Sequence, residues 1–298
     1  MTEFSLSQLR ESSPFHALVA MGLLRVAVEE LGMANSSLSW KGGQACIRAP
    51  DELLAELARY APDRGAMPEY ASAPSTRGIT PERYVELASS IPDWMAGLAT
   101  IAVLTKTGTA SSTRWDMTGG RQQLLKDVGA MLTKRLPRKR TWHDRLREGL
   151  VGGGDGEEGG AYGLDPEEFR SHALSAFAPS QSNMARTTPL QIPSRDDGAS
   201  RHVAQVWLAV EAFPLHPVMR GLDGRAFTTG WRGDEYHWCA WDGFLPLSAV
   251  RMLVGGIGHP AGDWGQRGLR EYAGQQVSLG KYGAMRMGRL VARTANGG

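Results

Sequence analysis

The apolar run near the start of the chain constrains the fold most. From Phe15 to Gly32 the sequence is Leu, Ala, Val and Met with few polar interruptions. Ser13 can cap this segment, and Pro14 fits the first helical position, where no N–H is needed. Gly32 suits the left-handed residue that ends many helices. The pattern predicts one helix whose apolar residues wrap most of its circumference. Such a helix cannot lie on a surface, so other elements must close around it.

Downstream, Ser37-Leu38-Ser39-Trp40 alternates, Gly42-Gly43 offers a two-residue turn, and Gln44 to Arg48 resumes the extended pattern. That reads as a hairpin. Asp51 caps a short helix to about Tyr60. Ala61 to Thr80 reads as a loop, and a helix is expected from Pro81 towards Ser90. Pro92 breaks it, with the apolar pattern continuing over Trp94–Leu104. Thr105 to Ser112 reads as a loop and Thr113–Asp116 as an extended stretch. Gly119-Gly120 opens a helix over Arg121–Leu136, with Leu124, Leu125, Val128, Met131 and Leu132 on one stripe. Pro137 ends it, and Thr141–Leu150 is helical again.

Gly152 to Gly160 reads Gly-Gly-Gly-Asp-Gly-Glu-Glu-Gly-Gly, a composition expected of a flexible linker. It divides the chain into an N-terminal helical or α+β half (1–150), a Gly-rich linker (151–164) and a C-terminal α+β half (165–298). Asp165-Pro166-Glu167-Glu168 starts a helix in the second half, and Arg201–Phe213 is a strong apolar helix. Phe227–Trp231 and Tyr236–Trp241 read as paired strands around Arg232-Gly233-Asp234. Pro246–Val254 is helical, and Val277–Thr294 suggests two short strands and a turn. The expected class is α+β, predominantly helical with short antiparallel strands.

With 298 residues, 42% of them hydrophobic, the chain can bury a sizeable core. No stretch approaches the ~20 apolar residues that span a bilayer, so no membrane association is expected. Met1 to Arg10 lacks the pattern of a secretion signal. Cys46 and Cys239 are the only cysteines and cannot build a disulfide framework. Together these point to a soluble protein of the reducing cytoplasm.

The seven histidines form no His-x-x-x-His pair and no Cys/His cluster. His237-Trp238-Cys239 is the nearest approach to a ligand pair, since alternate strand residues share a face. A zinc site needs three or four ligands, and the plainer reading is a strand rich in aromatics. Gly-x-Ser-x-Gly and the phosphate-binding Gly-x-x-x-x-Gly-Lys-Ser/Thr are both absent. Acids follow Gly152-Gly153-Gly154 and would repel a phosphate. No catalytic residue, metal, cofactor or small-molecule substrate is therefore assigned.

Charge carries the strongest signal. The net charge is only +2, but Arg114 to Arg147 holds ten Lys/Arg against three Asp. Lys134, Arg135, Arg138, Lys139 and Arg140 flank a helix end, Trp142 follows at once, and Arg145 and Arg147 lie just beyond. Cations there could engage phosphates while the indole stacks on a base. Cations at a helix C-terminus also satisfy the dipole without a ligand, and a protein-binding patch is the third possibility. Near the end, Arg267, Arg270, Lys281, Arg286, Arg289 and Arg293 stand against Glu271 alone. A hairpin there would project Lys281, Arg289 and Arg293 together.

Several segments resemble the CRISPR-associated subunits of the type I-U effector group. Ala-Leu-Val-Ala-Met-Gly-Leu-Leu-Arg-Val-Ala-Val-Glu-Glu over Ala17–Glu30, followed by Leu38-Ser39-Trp40, looks like their opening helix and Trp-bearing strand. Trp115-Asp116 before Gly119-Gly120-Arg121-Gln122-Gln123 resembles their Gly-Gln-Gln helix start. Phe213-Pro214-Leu215, then Tyr236–Trp241 and Pro246-Leu247, resemble their later helix, aromatic strand and Pro-Leu helix. Asp116-Met117-Thr118 before the double glycine departs from that pattern. The resemblance implies a large-subunit-like, non-catalytic member of an RNA-guided surveillance complex. Its partners would be guide RNA or target DNA and other CRISPR-associated subunits. A scaffold that binds only proteins, with tryptophans as anchors, is the alternative. A metal-dependent nuclease whose ligands converge only in three dimensions is a third reading.

Overall fold

The first helix lies at the centre of the fold. In this computed structural model the residues described are 1–64, 102–104, 110–112, 141–151, 204–205, 207–209, 211–216, 218–220, 226–233, 235–256, 268–279, 282–285 and 287–291. Helix α1 (Pro14–Arg25) starts with Pro14 at its N-terminus, and the Ser13 hydroxyl accepts from the His16 N–H at 3.3 Å. All of its twelve residues except Phe15 and His16 are buried. It touches strands of both sheets and a C-terminal helix, as an all-round apolar helix requires.

Val26–Glu30 continues α1 as a π turn, in which the Leu31 N–H reaches back to the Val26 carbonyl at 3.0 Å. Gly32 then takes a φ of 69°, as expected of a helix stop.

Four strands make the first sheet, in the order β1 (Thr2–Arg10), β3 (Gln44–Ala49), β2 (Ser37–Lys41) and β10 (Leu245–Pro246), all antiparallel. The β2–β3 hairpin turns at Gly42 and Gly43, whose φ values of 58° and 81° are costly for other residues. Leu38, Trp40, Ala45 and Ile47 face α1 and are buried. A register shift between Leu6 and Arg10 lets both Leu6 and Leu9 face inward.

The second sheet holds β9 (Glu235–Trp241), with β8 (Trp231–Arg232) on one side and β11 (Leu269–Leu279) on the other. β11 in turn pairs with β12 (Tyr282–Met285) and β13 (Arg289–Leu290). Tyr236 stacks on Trp238, and Trp238 on Tyr272, with centroids 5.6 and 5.8 Å apart. Two indoles tie distant chain together. Trp241 Nε1 donates to the Leu38 carbonyl and Trp238 Nε1 to the Glu11 carbonyl, each at 2.7 Å.

Two small hairpins pair β4 (Ala102–Leu104) with β5 (Ala110–Ser112) and β6 (Val218–Arg220) with β7 (Ala226–Thr228). Helices α2 (Leu53–Arg64), α3 (Trp142–Leu150) and α4 (Leu247–Gly256) complete the described elements, together with helical residues at 204–205, 207–209 and 211 and a short 3-10 turn at Phe213–Leu215.

The expectation of a predominantly helical chain is overturned. The architecture is mixed α+β, with two antiparallel sheets enclosing α1. The missed strands explain the difference. β1 hides its alternation behind the register shift. β11 carries Arg270, Glu271, Gln275 and Gln276, so it reads as polar chain. Ala102–Leu104, expected at the end of a helix, and Ala110–Ser112, expected as loop, pair with each other instead. The strand expected over Phe227–Trp231 divides at Gly230, whose φ is 83°. Its first part joins β6 and only Trp231 faces Tyr236.

The helices expected from Pro81, over most of Trp94–Leu104 and over Arg121–Leu136 lie outside the described residues. So do the extended stretch at Thr113–Asp116, the helix start at Asp165 and the linker after Val151. The described residues on either side of that linker share one apolar cluster, from Leu6 through Leu146 and Trp207 to Tyr272.

Gly22 sets the tightest packing contact. A Cβ built there would come 1.7 Å from the Leu208 carbonyl oxygen. Backbone cannot swing aside as a side chain can, so Gly22→Ala is expected to destabilise the fold by about 3 kcal/mol, the upper end for an overpacked core. Urea unfolding followed by circular dichroism measures it. A loss below about 0.5 kcal/mol would show that the two helices separate freely.

Candidate functional site

The basic residues singled out by the sequence fall into two groups. Lys134, Arg135, Arg138, Lys139 and Arg140 lie outside the described residues, as do Lys281 and Arg293, and the Arg145 side chain is not described. Trp142, Arg147 and Arg289 are placed.

Trp142 is the first residue of α3. Thr141 caps it: its hydroxyl accepts from the Asp144 N–H at 3.2 Å, while Asp144 Oδ2 accepts from the Thr141 N–H at 2.8 Å. This capping box fixes the start of α3. Helix α3 packs on α2 and β1. The Ser7 hydroxyl donates to the Val151 carbonyl, and Gln205 Nε2 to the Gly149 carbonyl at 2.6 Å. The segment after Arg140 is thus a firmly seated helix with Arg147 exposed.

The stacking role expected for Trp142 is corrected. Its side chain is only 9% exposed and belongs to the apolar core. An indole spent on core packing has no face left for a base. Arg289 is exposed but donates to Glu235 at 2.8 Å. That cation, foremost through its hydrogen bond, holds the Glu235 carboxyl below its usual range.

Three polar clusters emerge that the sequence did not reveal. The first is centred on the buried pair Arg25 and Glu211. Arg25 donates to Glu211 at 2.6 Å and to Glu30 at 2.9 Å, and its Nε lies 3.1 Å from Glu29. Trp207 Nε1 donates to Glu211 and the Tyr60 hydroxyl to Glu30. Arg251 reaches Glu29 from α4. In an α-helix the fifth residue along lies about 140° round the axis. The widened π turn brings Glu30 back beside Arg25 with Glu29.

The second cluster lies on the second sheet. His237 Nδ1 meets Glu271 Oε1 at 2.9 Å, and Arg232 approaches the same oxygen at 3.6 Å. Cys239 is buried on the same strand. Among the described residues no group of three or more His, Cys, Asp and Glu is arranged to hold a metal ion. Nearby, Glu11 accepts from Tyr272 at 2.7 Å and Arg270 at 2.8 Å, and Arg270 also donates to Asp242. Burial, then the Glu11 carboxylate, pushes the Tyr272 hydroxyl up to about 12.

The third cluster occupies the face of the first sheet turned away from α1. Lys41 Nζ lies 4.8 Å and Arg48 Cζ 4.0 Å from the Phe244 ring centroid. Glu3 meets Lys41 directly and Arg48 at 3.6 Å. The Lys41 hydrogen bond lowers the Glu3 carboxyl from its ordinary value. Alternation about the Gly42-Gly43 turn could have placed Lys41 and Arg48 together. The arrival of Phe244 beside β2 is purely tertiary.

A buried pair, His216 and Tyr236, completes the inventory. The Ala212 carbonyl can only accept, so His216 Nδ1 carries the proton and donates to it at 3.1 Å. Nε2 then accepts from the Tyr236 hydroxyl at 2.8 Å. Burial pushes the imidazole down to about 4 and the phenol up.

No known protein family matches this chain. No curated protein matches it either.

Two outcomes follow. Arg25→Met leaves three carboxylates beside one missing cation and is expected to cost about 3–5 kcal/mol. Adding Glu211→Leu removes the most deeply buried of those charges, so the double variant is expected to recover part of the loss in urea unfolding. No recovery would mean that the Arg25–Glu211 pair is not the costly element. For His216, the neutral form is the folded one. Stability present above the ordinary value near 6.5 is lost as pH falls from about 6.5 to about 4 and levels off below. The difference approaches about 3 kcal/mol. His216→Asn should flatten that part of the pH–stability curve; an unchanged slope would assign it to other groups.

Proposed function

We propose that this chain is a non-catalytic, nucleic-acid-contacting subunit of a cytoplasmic RNA-guided surveillance complex, acting through the basic segment Lys134–Arg147. The observation that carries the reading is charge segregation, with ten cations against three aspartates over Arg114–Arg147 in a chain of net charge +2. Cations concentrated on one segment point to a local anionic partner. Its end is anchored, because α3 follows at once, capped and packed on β1 and α2. A strand held there would be held against the body of the protein. The resemblance to type I-U subunits supplies the rest: guide RNA or target DNA as the ligand, other CRISPR-associated subunits as neighbours, and a guide that reads sequence while the protein holds backbone. Among the described residues no helix is long and apolar enough to cross a membrane, which fits this setting.

The burial of Trp142 changes the expected contacts. Affinity rests on Lys134, Arg135, Arg138, Lys139, Arg140, Arg145 and Arg147 without an indole. The protein-only scaffold draws less support than its tryptophan count suggested. Trp40, Trp142, Trp207, Trp231, Trp238 and Trp241 are all buried, so these six anchor the core and no interface.

The test is Arg138→Ala/Lys139→Ala/Arg140→Ala, measured by fluorescence anisotropy with a labelled single strand and a duplex over a range of salt. Affinity is expected to fall about tenfold or more. The slope of log affinity against log salt should shrink by about two, since each phosphate contact on a single strand contributes about 0.7. Unchanged affinity and slope would remove this segment from the interface.

A further inference from the structure

The outward face of the first sheet carries a group that packing alone does not require. Strand pairing puts Arg10, Gln44 and Lys41 in one row, Ser5, Cys46 and Ser39 in the next, and Glu3, Arg48 and Ser37 in the third. Leu245 pairs with Leu38, so Phe244 arrives beside Ser39, at the middle row. Ser39 and Cys46 are buried there although they face away from α1. The Phe244 ring sits between the cations of the outer rows. Shielding the middle row would need only an aliphatic side chain. Here the cover is a planar ring with a planar guanidinium 4.0 Å above it, and that guanidinium belongs to a side chain 47% exposed.

We propose that this face binds single-stranded nucleic acid: a base stacks on the open side of the Arg48 guanidinium, and the flanking phosphates are held by Lys41 and Arg10. Contact with the Phe244 ring restricts the Arg48 guanidinium in advance, so less side-chain freedom is lost when a base lands. Arginine planes and aromatic rings both accept bases without regard to sequence. The charges favour an anion. Arg10, Lys41 and Arg48 face Glu3 alone in the three rows, and Asp242 nearby is held by Arg270. A phosphate arriving at Lys41 replaces the exposed carboxylate of Glu3, an exchange between solvated partners that costs little. The choice of ligand class rests on the reading above, but none of these residues belongs to Lys134–Arg147.

Arg48→Lys tests it, because it keeps the charge and removes the plane. With the full chain and a fluorescein-labelled oligouridylate of about ten nucleotides, Arg48→Lys is expected to weaken binding about fivefold to tenfold with an unchanged salt slope. Phe244→Leu, which keeps the apolar cover, should do the same, while Phe244→Trp should bind at least as well as the native chain. Melting curves followed by circular dichroism confirm that each variant folds. Native affinity in both Arg48→Lys and Phe244→Leu overturns the platform, and if the Arg138/Lys139/Arg140 variant still loses affinity, the function proposed above stands without it. Absence of oligonucleotide binding by the native chain, with salt-sensitive binding of a polyglutamate peptide, overturns both. A loss on oligouridylate with Arg48→Lys that is not matched on oligothymidylate supports the platform with RNA as its strand; an equal loss on both supports it with either.

Discussion

The core of this fold is set by the crossing of α1 with the helical residues 204–205, 207–209 and 211. At Gly22 the two backbones nearly touch, since a single added carbon would meet the Leu208 carbonyl at 1.7 Å. One turn along, Arg25 of α1 reaches Glu211 of the other segment at 2.6 Å, with both side chains almost wholly buried. These contacts act in opposite ways. The glycine contact is steric and permits one spacing. The ion pair is electrostatic and becomes costly if either partner is lost. Together they fix both the distance and the rotation of α1, and the two sheets then close over the apolar surface that remains.

The π turn belongs to the same constraint. A regular helix would direct Glu30 away from Arg25. The widened turn returns it, and Tyr60 and Arg251 tie α2 and α4 to the same carboxylates. One guanidinium therefore joins the carboxylates of its own segment to Glu211, which lies 186 residues from Arg25 in sequence. Hydrophobic burial supplies most of the stabilisation, but it does not select one rotation of an all-apolar helix. The polar network does.

Function in this chain is a matter of surfaces. The Arg25 and His216 clusters tie core elements to one another and read as architecture. The basic run before α3 is concentrated cation in the sequence, and Trp142 just after it is buried. The Phe244 face has few cations, with the Arg48 guanidinium over an aromatic ring. Under the function proposed above, the first would hold backbone phosphate and the second a base.

Local sequence determined the features whose causes are local. Ser13 and Pro14 start α1, Gly42-Gly43 turns the β2–β3 hairpin, Thr141 opens α3, and the apolar run with its few polar interruptions required a central helix. Each depends on residues within a few positions of one another. What the sequence left open depends on partners far along the chain. β1 and β11 are polar enough to pass for loop and become strands because β3 and β9 offer paired edges. Trp142 looks like a surface aromatic beside a basic run, and only the seating of α3 on β1 and α2 shows that its ring is inside. Phe244 meets Arg48 because β10 returns to β2 across more than half the chain. Helix caps and turns are short-range backbone preferences and can be read from residue order. Strand pairing, burial and the grouping of charges are set by which surfaces the folded chain brings together, and only the tertiary structure decided them.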